Sequence, residues 1–540
     1  MLNKKNILWS VAAVAIAVRG VFAALFAGTM FRYYHQVQGL DMMTLLRFSE
    51  WGVSDVPPFF TLHRFLIYII WKLNNHIHLP DLIFLFQTAS GAAAATALAD
   101  LALMLTGKRK TSLLCGFFYA LYLPFLIYEF SILQETFAVN LLLLAIWSTF
   151  KMRKMRFALP VSIASGALWA LASIGRPTAI LLTAAALIGV FCYAGRKRAA
   201  RKTIAFYLAF AAIIGAVWIF NSMHQWKCGP FYNVLPYTIE YNTAKAAKSA
   251  ADAAAGSVQR NRIVTTVMQA AKRVPQLYAV KELPENQNIY FWRLKLPDLT
   301  LLPGPELLLS LTVFGMVILL FAAKLRSKEA LLWYPLLLLS LPLCAREALG
   351  RYRLLLCPYF IIISCSAFYL LLRIKPQAKR IAAGAIAAGA MVGAIFLGTP
   401  ENHTIRANDY LSWATACEAR LGQCDETLDA FLDVWKFTNF NSELAFCALQ
   451  RQALLCKRHD VALTVIKQAQ LSTEISPSVI WYFTGLIFVA RNDAAGVQQA
   501  FSHIKPAELP KQLQSHFHSI RNETERIIRE QQKRRLNNTR

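Results

Sequence analysis

A chain of 540 residues that is 56% hydrophobic and only 16% charged is too long for one ordinary soluble domain. It is also too apolar, since soluble domains average about 45–50% apolar and about 25% charged residues. The formal net charge of +27 would suit a nucleic-acid binder, but the position of the charge argues against that class. Lys and Arg crowd into short loops between apolar runs, at "KRK" 108–110, "KMRKMR" 151–156, "GRKRAARK" 195–202, "KLRSK" 324–328 and "RIKPQAKR" 373–380. Such loops mark the cytoplasmic side of a membrane protein, with anionic-lipid contact as a second effect.

In chain order, residues 7–28 form the first expected span, preceded by Lys4 and Lys5. No small-residue cleavage site follows and many spans do, so an uncleaved signal anchor is expected. Further apolar runs of spanning length lie near 82–106, 112–130, 136–150, 157–174, 178–194, 203–221, 305–323, 329–345, 354–372 and 381–398. The stretch "FFTLHRFLIYIIWKL", 59–73, is short and contains His63 and Arg64, which suits an interfacial helix. Eleven spans with the N-terminus inside put every basic loop in the cytoplasm. Residues 29–81, 131–135, 175–177, 222–304, 346–353 and everything from 399 then face outward. Counting 59–73 as a span would invert each later loop.

From residue 399 the chain reads as a soluble domain. "LGQCDETLDAF", "LCKRHDVALTV" and "VARNDAAGVQQAF" align on Asp425, Asp460 and Asp493, 35 and 33 residues apart, each between two helix-like stretches. Helix-pair repeats of about 34 residues mark a tetratricopeptide-like solenoid, and three units are about the minimum for a shared core. An unrelated helical bundle is the plain alternative. The closing "ERIIREQQKRRLNNTR" is a charged helix that frays. The expected fold class is therefore an all-α polytopic membrane protein, with a bundle of about eleven transmembrane helices over 1–398 and a helical-repeat domain over 399–540.

The ten cysteines include no CxxC pair and no His/Cys spacing that suggests zinc, so no metal or other cofactor is implied. Cys115, Cys192, Cys357 and Cys365 read as small core residues of apolar segments. Cys417, Cys424, Cys447 and Cys456 lie in the tail, where an extracytoplasmic location would permit disulfides.

The polar residues that look out of place all fall on the outward side. "GLDMMTLLRFSEWGVSDVPPFFTLHRF", 39–65, carries Asp41, Asp55, Pro57, Pro58 and His63, with Tyr33, Tyr34, His35 and Trp51 in or near it. A carboxylate at a membrane boundary beside aromatic surface can act as a general base, because partial burial raises its pKa. The bland alternative is an interfacial loop with its acids in water and its aromatics at the headgroups. Gln134 and Glu135 lie between two spans, Arg176 interrupts "SIGRPTAILL", and "CAREALGRYRLLLCPYF" sets Arg346, Arg351 and Arg353 around Tyr352. Ionisable residues at membrane depth are costly and point to function. Guanidinium groups suit bidentate phosphate recognition. A base, a second acid and cations for a phosphate are thus all present on one face.

The order of these features resembles the GT-C class of integral-membrane glycosyltransferases, specifically bacterial relatives of the dolichyl-phosphate-mannose protein mannosyltransferases (glycosyltransferase family 39-like). Members carry an Arg in the first span, matched by Arg19, and an Asp opening the first outward loop, matched by Asp41. "DVPPFFTLHRFL", "LYLPFLIYEFSILQETF", "GALWALASIGRPTAILL", "N…CGPFYNVLP" from Asn221 and "GRYRLLLCPYF" follow, so the likeness covers roughly 10–375. It implies Asp41 as general base on the acceptor, although Met42 stands where members often have a second acid. Glu135 would position the acceptor or Asp41. Arg176, Arg351 and Arg353, with Tyr352, would bind the lipid phosphate, whose growing charge needs preorganised cations. Asp55, Pro57, Pro58 and His63 would shape the loop near the donor.

The implied reaction is inverting transfer of a sugar from a polyprenyl-phosphate donor, by direct displacement, on the periplasmic or external face. The implied setting is a bacterial inner membrane. The acceptor would be a protein presented by the tail, since solenoids offer extended concave surfaces, or a glycan or lipid. A surface-polysaccharide polymerase or ligase would also use outward arginines. A transporter would show an internal repeat across its halves and broken midplane helices, and neither is found. A non-catalytic scaffold with a partner-binding tail stays open, because a fold does not prove turnover.

Overall fold

Backbone in hydrocarbon must satisfy its N–H and C=O groups internally, and among the described residues it does so with helices alone. The computed structural model describes residues 3–36, 66–67, 69–70, 79–154, 158–175, 180–197, 200–224, 287–322, 340, 353–396, 405–422 and 425–538. These hold nineteen α-helices, divided between two compact units.

The first unit takes residues 1–29 and 38–405. Its helices are α1 (Lys4–Ala27), α2 (Leu79–Thr106), α3 (Arg109–Leu121), α4 (Leu123–Glu129), α5 (Gln134–Lys154), α6 (Leu159–Gly175), α7 (Ile180–Lys197), α8 (Ala200–His224), α9 (Ile289–Lys295), α10 (Pro305–Ala322), α11 (Cys357–Arg373) and α12 (Gln377–Phe396). Among the described residues, five stretches are long and apolar enough to cross a membrane: α1, Pro80–Thr106, Ala200–Val217, Pro297–Ala322 and α12. The protein is a helical membrane protein on that ground.

The expected span 112–130 is broken, and those at 136–150, 157–174, 178–194 and 354–372 form helices that do not meet that test. Residues 112–130 form two helices, α3 and α4, bent by 47°. Tyr122 between them is extended (φ −66°, ψ 109°) and Pro124 sits in the first turn of α4. Proline has no N–H to donate to the preceding turn and its ring crowds that turn. The N–H of Leu123 instead donates to the carbonyl of Pro303 at 2.9 Å, tying the break to the segment before α10. The expected span 329–345 lies outside the described residues.

α2 is the central strut, packed on α1, α3 and α5. Its buried face is rich in alanine, with Ala94, Ala95, Ala99 and Ala102 fully buried, and small residues let membrane helices approach closely. Gly166 does the same for α6 and α8, since a Cβ there would collide with the carbonyl of Phe206. At one end of the unit Asp100 is buried between Lys4 and Lys151, each 2.6 Å away, and accepts from Trp147 Nε1 at 3.0 Å. That acid gathers α1, α2 and α5 at the end bearing the basic 151–156 segment.

The second unit takes residues 30–37 and 406–540. It therefore draws eight residues from the first expected outward loop, which tail composition alone does not reveal. Its helices are α13 (Ala407–Leu421), α14 (Asp425–Phe437), α15 (Glu443–Leu455), α16 (His459–Ala469), α17 (Pro477–Ala490), α18 (Ala494–Ser502) and α19 (Lys511–Asn538). The first six make three consecutive hairpins. Asp425 and Asp460 sit in the first turn of each second helix, and Asp493 caps the third through its side chain, accepting from Gly496 N at 3.0 Å.

Bonds between hairpins recur at one separation of 33 residues. They join Trp435 to Gln468, Arg451 to Glu418, Arg458 to Asp425, and the N–H of Ser476 to Glu443. A fixed register of that kind is what stacked repeats produce. Cys417, Cys447 and Cys456 are free thiols, and Cys424 lies outside the described residues.

Candidate functional site

The membrane unit buries a second polar cluster, far from Asp100. Along α1, Arg19 stands 15 residues from Lys4, about 22 Å at 1.5 Å per residue. Gln87 stands about 20 Å from Asp100 along α2, and Glu135 about 24 Å from Lys151 along α5. The two clusters thus occupy opposite ends of the same three helices.

Arg19 of α1 and Glu129 of α4 form the centre. Arg19 Nη2 donates to Glu129 Oε1 at 2.7 Å, and Nη1 donates to the carbonyl of Ala15 at 3.2 Å. The side chains are 4% and 0% exposed, so both charges are sealed from solvent. Glu129 Oε2 and Arg19 Nε are buried without a hydrogen-bond partner among the described residues. Gly91 of α2 makes room for the pair. A Cβ there would collide with Glu129 Oε1 and come within 2.7 Å of Arg19 Nη2.

Gln87, one turn earlier on α2, donates through Nε2 to the carbonyls of Glu129 at 2.7 Å and Ser131 at 2.8 Å. These bonds satisfy carbonyls at the end of α4 that no further helical turn can reach. Ser90 Oγ donates to the carbonyl of Gln87 at 2.7 Å and accepts from Asn140 Nδ2 at 2.9 Å. Asn140 Oδ1 in turn accepts from the hydroxyl of Tyr119 at 2.5 Å. Tyr119 lies within electrostatic reach of Glu129, Arg19 and Cys357, and Cys357 Sγ is 3.8 Å from Tyr122 Oη. Helices α1 to α5 and α11 therefore converge on one network.

Of the catalytic and phosphate-binding candidates, Glu135 and Arg353 fall in described regions. Glu135 is the second residue of α5 and 3% exposed, in the first turn where the helix dipole favours an acid. Arg353 precedes α11 and is 1% exposed, and its carbonyl accepts from Leu356 N at 2.8 Å. Asp41, Asp55, Pro57, Pro58, His63, Arg176, Arg351 and Tyr352 lie outside the described residues. Arg19, which entered through the family resemblance, is paired with Glu129.

Sequence reasoning missed Glu129, Gln87, Gly91, Ser90 and Asn140. A signal existed for Glu129, an acid inside the apolar run "LPFLIYEFSIL", and none for the pairing itself. A scan against protein-family models finds no match to the chain, and a search of curated proteins finds no matching relative. Chemically, the Arg19–Glu129 clasp holds α1 to α4, and Gln87 holds the turn that leads into Glu135.

Proposed function

We propose that the protein is a membrane glycosyltransferase of the GT-C type, moving a sugar from a polyprenyl-phosphate donor to an acceptor on the outward face. The observation that carries this is the burial of Arg19, Glu129, Glu135 and Arg353 in a unit whose Asp100 cluster holds the basic residues at the opposite end of α1, α2 and α5. Buried charge at membrane depth has to be retained for a reason, and a rigid polar floor is what preorganised electrostatic catalysis needs.

In this proposal Asp41 removes the acceptor proton as its oxygen attacks the anomeric carbon, and the lipid phosphate leaves from the opposite face with inversion. Arg176, Arg351 and Arg353, with Tyr352, stabilise the departing phosphate. Glu135 orients the acceptor or Asp41, and the turn that Gln87 ties down fixes where Glu135 begins. Asp55, Pro57, Pro58 and His63 shape the loop against the membrane surface. The membrane unit has eleven spans, the hairpin array is tetratricopeptide-like, and the tail lies outside the cytoplasmic membrane, where it presents a protein acceptor.

The test is transfer from radiolabelled polyprenyl-phosphate sugars by purified wild type and Asp41→Asn. Turnover with at least one donor, lost in the variant while donor binding persists, is the expected result. Equal turnover by both would move the base to Glu135 or Asp55. The engagement of Arg19 by Glu129 and the ordered hairpin array favour one second reading, a scaffold whose tail binds partners. Absence of turnover with every donor, together with partner capture by the array, would select it.

A further inference from the structure

The hairpin array has a leading edge, and its covering comes from the other end of the chain. Left-handed residues end the first helix of each hairpin: Gly422 at φ 70°, Lys457 at φ 58° and Asn492 at φ 57°. They are 35 residues apart in both intervals, so the hairpins superpose in sequence and Trp413, Ala448 and Phe483 are equivalent positions. Phe483 faces backward along the array, meeting Phe446 of the preceding hairpin at 5.6 Å. Phe446 in turn meets Trp435 of the first hairpin at 5.8 Å. Among the described residues no hairpin precedes the first, so the face of α13 that bears Trp413 needs another cover.

Met30–Gln36 supplies it. This seven-residue 3-10 turn follows α1 and belongs to the same compact unit as the array. Phe31 meets Trp413 at 5.1 Å and Tyr34 at 4.8 Å, and Phe31 and Tyr34 are 2% and 5% exposed. Burial raises the Tyr34 hydroxyl well above the ordinary tyrosine pKa, and the charges of Asp409 and Cys417 on α13 add to it. Solenoids need their terminal faces capped, and each unit is stabilised by its neighbours.

We propose that Met30–Gln36 is the leading cap of the array, so that folding of the array and order of this cap are one linked equilibrium. Asp41 follows Gln36 by five residues in sequence. The linkage stands without the glycosyl-transfer reading. A topological consequence follows too. Gln36 and Arg406 belong to one compact unit, so the chain between them would cross the membrane an even number of times.

Hydrogen exchange on the full-length protein in lipid nanodiscs tests the linkage reciprocally. Phe31→Ala is expected to speed exchange in α13 and α14 about tenfold or more, with less change in α17 and α18, because coupling fades along a solenoid. Trp413→Ala should speed exchange in 30–36 in return, and the double variant should fall short of the product of the two. Phe31→Leu, which keeps most of the apolar contact, should show a smaller effect of the same pattern. Exchange in α13 within twofold of wild type in Phe31→Ala would overturn the proposal. Impermeant thiol labelling of Tyr33→Cys and Ser515→Cys, in a cysteine-free background, should reach both positions from one membrane side. Labelling from opposite sides would overturn the even count.

Discussion

Asp100 and Glu129 are two buried acids at opposite ends of one helix cluster, and they are buried on different terms. Asp100 shares its charge between two lysines whose own side chains are 37% and 21% exposed, so the positive ends reach the surface of the unit while the acid stays inside. Glu129 has one arginine, itself 4% exposed, and an oxygen left without a partner among the described residues. The first arrangement joins helix ends at a wet boundary. The second places a complete ion pair in the dry interior, where desolvation rivals attraction and removing one partner strands the other.

That difference orders the expected effects of mutation. The largest belongs to the sealed pair. Arg19→Leu should destabilise the membrane unit by about 3–5 kcal/mol, and Arg19→Leu with Glu129→Leu should recover most of the loss, because no lone charge then remains buried. Unfolding in mixed micelles with increasing SDS measures both, and equal loss in single and double variants would refute the account. Gly91→Ala comes next at about 1–3 kcal/mol, the usual range for overpacking, since the new methyl collides with Glu129.

At the wet end the effect shrinks. Asp100→Asn should cost about 1 kcal/mol, the pair being discounted for its exposed lysines, with the loss smaller at high salt. A salt-independent loss as large as that of Arg19→Leu would erase the distinction between the two acids. In the hairpin array Arg451 pairs with Glu418 at 2.7 Å but is 58% exposed, so Arg451→Ala should change thermal stability by less than about 1 kcal/mol.

The array also offers a pH readout. Burial, and secondarily the charge of Glu443, pushes the Cys447 thiol up to about 12. Only the thiolate reacts, so at pH 8 about one thiol in 10,000 is ionised and alkylation should lag far behind free glutathione. The sign is that of a neutral group: reactivity rises as pH climbs toward the shifted value. Rapid labelling of Cys447 at pH 8 in the folded protein would contradict its burial.

Much of the fold was legible locally. An apolar run of spanning length, a basic loop or a 35-residue recurrence such as that of Asp425 and Asp460 is written within one segment, since helix periodicity and turn chemistry involve residues close in sequence. The hairpins of the tail and the helices α1, α2, α8, α10 and α12 were readable for that reason. Glu135 and Arg353 stood out because each is an ionisable residue in apolar surroundings, and both are buried in the structure.

What tertiary structure alone decided are the pairings. Arg19 and Glu129 are 110 residues apart, and neither residue type nor spacing names the partner. The bend at Tyr122 depends on Pro124 and on the carbonyl of Pro303, 180 residues away, taking up a freed N–H. The cap on α13 comes from residues more than 370 positions earlier, and no periodicity in the tail records that its first hairpin lacks a neighbour. Composition and period settle which segments become helices, because those are set by contacts within a turn or two. Which buried charge meets which, and what covers an open helix face, are settled by packing between distant segments.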